Sequence, residues 1–329
     1  MASKILPAGD RGLLVRMRGM GLATLVAKTE TARAESSVAA AIPGDDGVLL
    51  LFPAGLARDV QLAVAERVAR VTVGRSHPSR VRHHIPVSFA DEHAPDLPRL
   101  LEAAGIDRAA FLDMVAGLEL RVRFLGFRPG FAYLEGVPDA WQLPRLATPR
   151  QRVPAGSFAV AGARAGIYPE ASPGGWNLLG RTDAVLWDRG RERPNLFVPG
   201  DEVKIVPSDR PLEAPRVLVA ANPGEAAVLE VLRAGSAMHL VDVPDFARTA
   251  WGLPVGGPFD SEAAAVANRN AGNPADAPLV ECALSGPCLR ATARVTLAWS
   301  GARAPIRRNG RPIGDPRRID LEPGDELDV

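Results

Sequence analysis

The side chains best suited to chemistry lie in one stretch of the chain, from Arg123 to Trp187. This stretch carries both tyrosines, Tyr133 and Tyr168, together with several arginines and many glycines and prolines. A guanidinium binds a carboxylate or phosphate in bidentate fashion, and backbone N–H groups at tight turns form anion-binding nests. The combination indicates a site for a small anionic or carbonyl-bearing ligand. Turns of a β-barrel and surface ion pairs would use the same residue types, so both interpretations stay open at this point.

The common motifs of nucleotide binding and nucleophilic catalysis are absent from the sequence. It has no GxxxxGKS or GxxxxGKT loop and no GxSxG elbow, and no GxGxxG follows a strand pattern. His83 and His84 are adjacent, but neighbours in a strand point to opposite faces, so one metal ion cannot easily bind both. Neither a metal site nor a Ser-His-Asp triad is therefore predicted.

Length and composition predict a protein of two or three domains, each with its own hydrophobic core. The 329 residues carry a formal net charge of +1, so no strong field directs the chain to nucleic acid or to membranes. The two cysteines, Cys282 and Cys288, are expected to be reduced core residues. The sequence shows neither a basic-then-apolar signal peptide nor an apolar run of membrane-spanning length, so a cytoplasmic location is expected.

Residues 1–82 are predicted to form a small α/β domain in which an open sheet carries helices on one face. Short apolar runs beside turn residues indicate the strands, and Ala-rich or amphipathic spacing indicates the helices. The predicted elements are strands at Lys4–Leu6, Leu13–Arg16 and Gly47–Phe52 and helices at Gly21–Ala41 and Leu56–Val71.

Residues 83–212 are predicted to form a β-rich domain, because the Gly- and Pro-rich stretch shows no helical period. Two short helices are expected within Asp96–Leu118, and Asp107 is the expected N-cap of the second. The other predicted elements are strands at Arg82–Phe89, Phe158–Val160 and Ala184–Trp187, a type II turn at Pro173-Gly174-Gly175, a closing turn and strand at Val198–Pro207, and a linker at Asp209–Ala214.

Residues 213–329 are predicted to form a second strand-rich domain. It opens with a strand at Arg216–Ala220 or, after a short helix at Glu225–Leu229, with a strand at Leu229–Ala234. Asp260 is the expected N-cap of a helix. Further strands are predicted at Leu279–Leu284, Cys288–Ala291, Arg294–Trp299 and Ile319–Leu321. The endings Gly200-Asp201-Glu202-Val203 and Gly324-Asp325-Glu326-Leu327 echo each other, which favours two barrels built on one plan.

Several separated blocks resemble a known family. GFRPGFAYLEGVP, PRLATPRQRVPAGSFAVAG, IYPEASPGGWNLLGRT and VPGDEV, between Ile5 and Pro207, resemble the first-subunit allophanate-hydrolase-like family. This family includes the B subunit of bacterial ATP-dependent 5-oxoprolinase and the KipI kinase inhibitor. GLPVGGPFD, AVANRNAGNP, LVECALSGPCL and SGARAPIRRNGRPI resemble the start of the second-subunit family, which includes KipA and the 5-oxoprolinase C subunit. The two families also occur fused, as the carboxyltransferase part of urea carboxylase.

The resemblance implies an α+β fold and a function. The small α/β domain would be ferredoxin-like, residues 83–212 a cyclophilin-like β-barrel, and residues 213–329 a second, partial barrel of the same kind. The implied function is a component of an ATP-dependent 5-oxoprolinase that opens 5-oxoproline to glutamate with a separate A-type subunit. ATP, with Mg²⁺, would be the co-substrate, and an oligomer is expected. The alternatives are a regulatory protein of the KipI type and a carboxyltransferase-like domain.

The resemblance also implies which residues form the site. The expected catalytic residues are Arg128, Tyr133, Arg150, Ser157 and Arg181. The expected substrate- and nucleotide-binding residues are Gly126, Phe127, Pro129, Gly130, Phe131, Tyr168, Gly174, Gly175, Trp176, Asp260, Asn268, Asn273 and Glu281. Members of the family usually carry a His and a Tyr shortly before the GFxPGF block, where this chain has Val115 and Leu120.

Overall fold

The structure is a computed structural model that describes residues 3–72, 81–213, 227–314 and 316–329. The chain forms two compact units, one of Met1–Leu218 with Phe246–Pro254 and the other of Val219–Asp245 with Val255–Val329. The strand predicted at Arg216–Ala220 lies outside the described residues. The short helix predicted at Glu225–Leu229 is wrong in its described part, because residues 227 and 228 are not helical and Leu229 begins a strand that ends at Arg233, which is the alternative opening predicted for this domain. Among the described residues, no helix is long and apolar enough to cross a membrane.

The N-terminal part of the first unit is a four-stranded antiparallel sheet with two helices on one face. Its elements are β1 (Lys4–Pro7), β2 (Gly12–Arg16), α1 (Leu22–Ala34), β3 (Ala40–Pro43), β4 (Gly47–Leu51) and α2 (Arg58–Arg70). The strand order is β1-β2-β4-β3. Helix α1 contacts β3 and β4, α2 contacts β1 and β2, and the helices contact each other, which confirms the predicted open sheet with helices on one face.

The helix predicted at Gly21–Ala41 is too long. Helix α1 ends at Ala34, and the next residue, Glu35, already has an extended backbone. Ala40 and Ala41 lie in β3, where they are buried and pair with β4. Strand β3 forms a hairpin with β4, and burial in this pairing outweighs the helix propensity of alanine.

The rest of the first unit is a nearly closed β-barrel with two helices. Its elements are β5 (Arg82–Val87), α3 (Leu97–Ala104), α4 (Arg108–Gly117), β6 (Leu120–Leu125), β7 (Ala132–Glu135), β8 (Arg150–Val153), β9 (Ser157–Ala161), β10 (Arg164–Ile167), β11 (Ser172–Gly174), β12 (Asn177–Arg181) and β13 (Glu202–Pro207). Seven strands form one sheet in the order β12-β9-β10-β7-β6-β13-β5. Ser88 and Arg181 then exchange two backbone hydrogen bonds, of 2.7 and 2.9 Å, which link the two edges of this sheet. Strands β8 and β11 form a separate two-stranded ribbon.

The period of two along each strand gives the barrel wall two apolar faces. On β9, Phe158 and Val160 belong to the main core, whereas Ala159 belongs to a second, smaller cluster. The same division holds on β7, where Leu134 faces the main core and Tyr133 the second cluster. Val153 of β8 also belongs to the second cluster, so the ribbon covers the outer face of the wall.

Two local predictions in this region are wrong. Pro173-Gly174-Gly175 does not form a type II turn, because Gly174 lies in β11 without the positive φ that such a turn requires at its third position. Pro173 is tolerated there because the register of the ribbon shifts next to it, at a bulge. Ala184–Trp187 is not a strand: within it only Trp187 makes an isolated bridge, to Asn195. The apolar residues of this loop pack into the core, although no continuous strand pairs with the loop.

The second unit consists of short strands and one helix. Its elements are β14 (Leu229–Arg233), β15 (Ala237–Val241), α5 (Ser261–Ala271), β16 (Leu279–Ala283), β17 (Cys288–Ala291), β18 (Val295–Ala298), β19 (Ile306–Arg308), β20 (Arg311–Gly314), β21 (Arg318–Leu321) and β22 (Glu326–Asp328). They form a five-stranded sheet, β14-β17-β22-β19-β20, and the ribbons β15-β16 and β18-β21. The thiols are free, but Cys282 is exposed and Cys288 half-buried, so their placement in the core was wrong. The few helices and the nearly closed barrel of the first unit confirm a mixed α and β fold.

Candidate functional site

A cluster of aromatic rings lies between the barrel wall and the β8-β11 ribbon. Phe131 precedes β7, Tyr168 follows β10, and Trp176 precedes β12, so each ring sits at the end of a wall strand. Phe131 contacts the rings of Tyr133, Tyr168 and Trp176 edge to face, with centroids 5.0, 5.5 and 5.6 Å away. Phe127 contacts Phe131 and Tyr168 and remains 55% exposed, so it forms the open rim of the cluster.

The ribbon approaches Tyr168 so closely that only glycine fits at position 174. A Cβ on Gly174 would lie 3.0 Å from Cε1 and Cζ of Tyr168, and closer still to its Oη. Gly130 has φ +85° and packs against Leu186 and Trp187. Gly126 and Gly175 have room for a Cβ, with nearest atoms 3.9 and 3.7 Å away. Of the four predicted glycines, Gly130 and Gly174 therefore make a close approach, and in both cases to protein atoms.

Two predicted arginines stand beside this cluster, each with one carboxylate partner. Arg128 Nη1 lies 2.7 Å from Glu170 Oε1, and Arg150 Nη2 lies 2.8 Å from Asp96 Oδ1. Asp96 is itself held, because its other oxygen accepts a hydrogen bond of 2.7 Å from the backbone of Leu178. The carboxylates orient the guanidinium groups and leave further N–H donors available.

Some buried polar atoms of this region have no partner. Among the described residues, Arg128 Nε, Arg150 Nη1 and Ser172 Oγ are buried and have no hydrogen-bond partner, and Trp141 Nε1 is a further such atom in the main core. Most of these atoms can only donate, and an unpaired buried donor costs about 1–3 kcal/mol. Carboxylate and phosphate oxygens are the usual acceptors for guanidinium donors of this kind.

Arg145 is a cation that residue-by-residue reasoning missed. Pro144 and Leu146 on either side of it are fixed, because the Pro144 carbonyl accepts from Asn177 Nδ2 at 3.0 Å and Leu146 N–H donates to the Gly175 carbonyl at 2.8 Å. Arg145 is exposed and makes no ion pair or hydrogen bond within the part of the chain that the structure describes. Its position inside the block PRLATPRQRVPAGSFAVAG was the available signal.

The charges of neighbouring guanidinium groups act on the pKa values of both phenols. Burial raises the pKa of Tyr133, and Arg145 partly offsets that rise. Burial also raises the pKa of Tyr168, against the opposing effects of the Trp176 backbone hydrogen bond and of Arg145 and Arg150. Both phenols are therefore neutral hydrogen-bond donors at physiological pH. We call the set formed by Phe131, Tyr133, Tyr168, Trp176, Arg128, Arg145 and Arg150 the ribbon site.

Other predicted residues do not join the ribbon site. Ser157 is buried and its Oγ donates to the Pro154 carbonyl at 2.8 Å, while Arg181 Nε donates to the Ala155 carbonyl at 2.9 Å. These two side chains thus hold the turn before β9. Pro129 lies in the same loop as Gly126 and Gly130.

The four predicted residues of the second unit make local hydrogen bonds there. Asp260 caps α5 by accepting from Ala263 N–H at 2.9 Å, as predicted, and Glu281 Oε1 accepts from Phe259 N–H at 2.8 Å. Asn268 Nδ2 donates to the Ala277 carbonyl at 2.8 Å. Asn273 Nδ2 lies 3.5 Å from Asn268 Oδ1.

The positions where the resemblance predicts a His and a Tyr belong to the main core in this chain. Val115 and Leu120 are fully buried in the main core, not in the outer cluster that contains the ribbon site. Metal ligands do not converge either: within the described ranges, no three His, Cys, Asp or Glu side chains could hold a metal ion. His83 instead pairs with Asp201, Nε2 to Oδ2, at 2.9 Å.

The chain matches the models of a known protein family. Residues 3–197 match the family model of the carboxyltransferase domain, subdomain C and D, and residues 251–329 match subdomain A and B. The B subunit of 5-oxoprolinase from Escherichia coli O157:H7 is 37% identical over 175 residues, which are 52% of this chain and 78% of that protein. The corresponding B subunit from Bacillus subtilis is 35% identical over 147 residues, which are 45% of this chain and 61% of that protein.

Solved structures have a similar fold. The crystal structure of TTHA0988 has a TM-score of 0.77 at 33% identity and covers 97% of this chain. This chain spans only 64% of that protein's length. The urea carboxylase of Kluyveromyces lactis has a TM-score of 0.51 at 19% identity over 63% of this chain and 22% of its own, a likeness of fold alone. The chain therefore belongs to the carboxyltransferase-domain family, with a subdomain C and D part followed by a subdomain A and B part.

Proposed function

We propose that this chain is a component of an ATP-dependent 5-oxoprolinase, which opens 5-oxoproline to glutamate together with a separate A-type subunit. The observation that carries the proposal is the 37% identity to the B subunit of the E. coli 5-oxoprolinase, of which the matched region covers 78%. The ferredoxin-like and cyclophilin-like assignments of the domains belong to the same proposal.

The chemistry of this reaction suits the groups of the ribbon site. A lactam is a poor electrophile, and phosphorylating its oxygen makes cleavage of the C–N bond feasible. Charge on a transferring phosphoryl group is stabilised by preorganised donors. Arg128 and Arg150 each have a buried unpaired donor, and Arg145 has no carboxylate partner among the described residues. ATP with Mg²⁺ is the co-substrate in this proposal.

The test is 5-oxoproline-dependent ATP hydrolysis by the purified chain mixed with an A-type subunit. Arg150→Gln should lower turnover about 10²-fold, the usual effect of removing one preorganised donor. Arg152→Gln is the matched control, because Arg152 lies on the same strand, is exposed, and should leave turnover within about twofold of the wild type. Absence of turnover, under conditions where the E. coli enzyme is active, would contradict the proposal. A stable complex of the chain with another protein, in the absence of turnover, would instead support a regulatory role of the KipI type.

A carboxyltransferase-type reaction is the second candidate, because both family models that match describe carboxyltransferase subdomains. This function would need a biotin carrier and a biotin carboxylase in addition to these 329 residues. It predicts that a biotinylated protein co-purifies with the chain and that streptavidin depletes the activity. Full 5-oxoproline-dependent turnover in the presence of streptavidin would exclude this second candidate.

A further inference from the structure

Residues 246–254 belong to the first unit, although the residues on both sides of them belong to the second. We call this segment the strap. Its two ends are joined, because Asp245 N–H donates to the Val255 carbonyl at 2.8 Å, and a short 3₁₀ helix, Ala247–Trp251, lies between them. Compact loops whose ends meet in this way frequently carry a function. Neither the family resemblance nor the relatives' names assign one to the strap.

Gly252 places the strap against the start of one loop of the ribbon site. A Cβ on Gly252 would lie 2.6 Å from Leu125 Cβ and 2.9 Å from Gly126 N, so only glycine fits there. Gly252 also has φ +73°, a conformation that favours glycine. The loop, residues 126–131, is closed by a hydrogen bond of 3.2 Å from Gly126 N–H to the Phe131 carbonyl. The strap therefore contacts the closed end of a loop that supplies side chains to the ribbon site.

The far end of this loop is linked to the strap as well. A Cβ on Gly130 would lie 2.9 Å from Trp187 Cβ, so the loop packs tightly on Trp187. Trp187 forms an isolated bridge with Asn195, and Asn195 Nδ2 donates to the Trp251 carbonyl of the strap at 2.9 Å. Asn195 is buried, so water competes little for this bond. The strap thus supports the loop directly through Gly252 and indirectly through Asn195.

Other contacts make the strap a rigid support. Thr249 is buried, and its Oγ1 donates to the Phe246 carbonyl at 2.7 Å within the strap. The Arg11 guanidinium lies 5.7 Å from the centre of the Phe246 ring, and the 3₁₀ helix contacts β3. The strap is therefore held by side-chain and backbone contacts on several sides.

Arg128 and Phe131 owe their place in the ribbon site to the loop that the strap supports. A misplacement of about 1 Å, caused far from the chemistry, can cost about 10²-fold in rate. We propose that the strap is a positioning segment of the ribbon site, which holds residues 126–131 in the binding geometry while it is docked. The loop lies in the part of the chain that matches subdomain C and D, whereas Gly252 lies in the part that matches subdomain A and B. The start of the second part thus completes a site in the first.

The first test is hydrogen exchange of the intact chain, read by mass spectrometry over residues 126–131, whose hydrogen-bonded amides report on the loop. In Gly252→Ala the added Cβ does not fit against Leu125, so the strap should lift and the loop should exchange at least about tenfold faster. Gly256→Ala is the matched control, because Gly256 has φ +71° but no atom within 4 Å of an added Cβ. It should change exchange of the loop less than about twofold.

Asn195→Leu tests the other contact of the strap and nearly keeps the volume of the side chain. It removes the donor to the Trp251 carbonyl, so the loop should exchange about fivefold faster. Wild-type exchange of residues 126–131 in both Asn195→Leu and Gly252→Ala would overturn the proposal. A change of the same size in Gly256→Ala would overturn it too.

Turnover with an A-type subunit separates positioning from a loss of stability, and this readout rests on the proposed function. Gly252→Ala should lower kcat at least about tenfold in the wild-type background but less than about threefold in the Arg128→Gln background, because the strap acts through the loop that carries Arg128. Equal losses in the two backgrounds, or full turnover in Gly252→Ala, would overturn the positioning role and leave the proposed function intact. Absence of turnover in the wild type would contradict the proposed function instead, and hydrogen exchange would still decide the role of the strap.

Discussion

Gly174 is the position at which a single methyl group should disturb the ribbon site most. In Gly174→Ala the new Cβ would lie 3.0 Å from two ring carbons of Tyr168 and closer to its Oη, whereas carbon atoms normally sit about 3.5–4.0 Å apart. Tyr168 is only 2% exposed and is enclosed by Phe131, so the ring has little room to withdraw. Overpacking of this kind costs about 1–3 kcal/mol.

A displaced Tyr168 would also lose a hydrogen bond. Its hydroxyl accepts from the backbone N–H of Trp176, and a lost hydrogen bond of this kind adds about 1 kcal/mol. The free energy of unfolding should therefore fall by about 2–4 kcal/mol in Gly174→Ala. Gly175→Ala is the control one residue further on, because its Cβ would have no neighbour closer than 3.7 Å and its φ is not positive. It should be neutral or stabilise by up to about 1 kcal/mol, since alanine restricts the unfolded chain.

The assay is urea unfolding of both variants and the wild type, followed by tryptophan fluorescence. The two variants add the same methyl group to neighbouring residues, so their difference isolates the contact with Tyr168. The reasoning predicts a gap of at least about 2 kcal/mol between them. Two variants that unfold within about 0.5 kcal/mol of each other would show that the ribbon does not press on Tyr168 as the structure places it.

Two further predictions concern ionisable groups. Phenolate absorbance of the native protein should rise only above about pH 10, because burial raises the pKa of both tyrosines and the chain has no others. The stability that the neutral phenols contribute is present below about pH 10. It is lost as the pH rises through the raised pKa values. A native titration that coincides with that in denaturant would contradict this expectation. Lys28→Met should lower the free energy of unfolding by about 1–3 kcal/mol, because the buried Lys28 Nζ donates to the carbonyls of Val68 and Ala69 at the end of α2. Thermal unfolding measures the effect, and the exposed Lys4→Met should shift the midpoint far less.

Features that depend on a few neighbouring residues could be predicted from the sequence. Asp107 was identified as an N-cap because its carboxylate reaches an N–H three residues later, and the structure shows this bond to Ala110 at 2.8 Å. Asp260 caps α5 by the same rule. The strand at Phe158–Val160 was likewise evident from its apolar run between turn residues.

Features that depend on which segments pair could not be predicted in this way. Ala40 and Ala41 form a strand because they pair with β4 in a hairpin, and Ala184–Trp187 does not because no continuous neighbour pairs with it. The ribbon site shows the same limit. Tyr133 and Trp176 were predicted from the family resemblance, but Arg145 was not, and it joins them because two backbone bonds hold its loop beside the ribbon.

The location of the ribbon site follows from how the barrel wall is filled. Leu120 and Phe158 of the wall and Val115 of α4 are apolar and fully buried in the main core. The outer face would be solvated in a barrel without a ribbon, but the β8-β11 ribbon covers it and excludes water from Tyr168. A buried phenol beside unpaired guanidinium donors is worth more to an anion there than at an open surface, because screening by water is reduced.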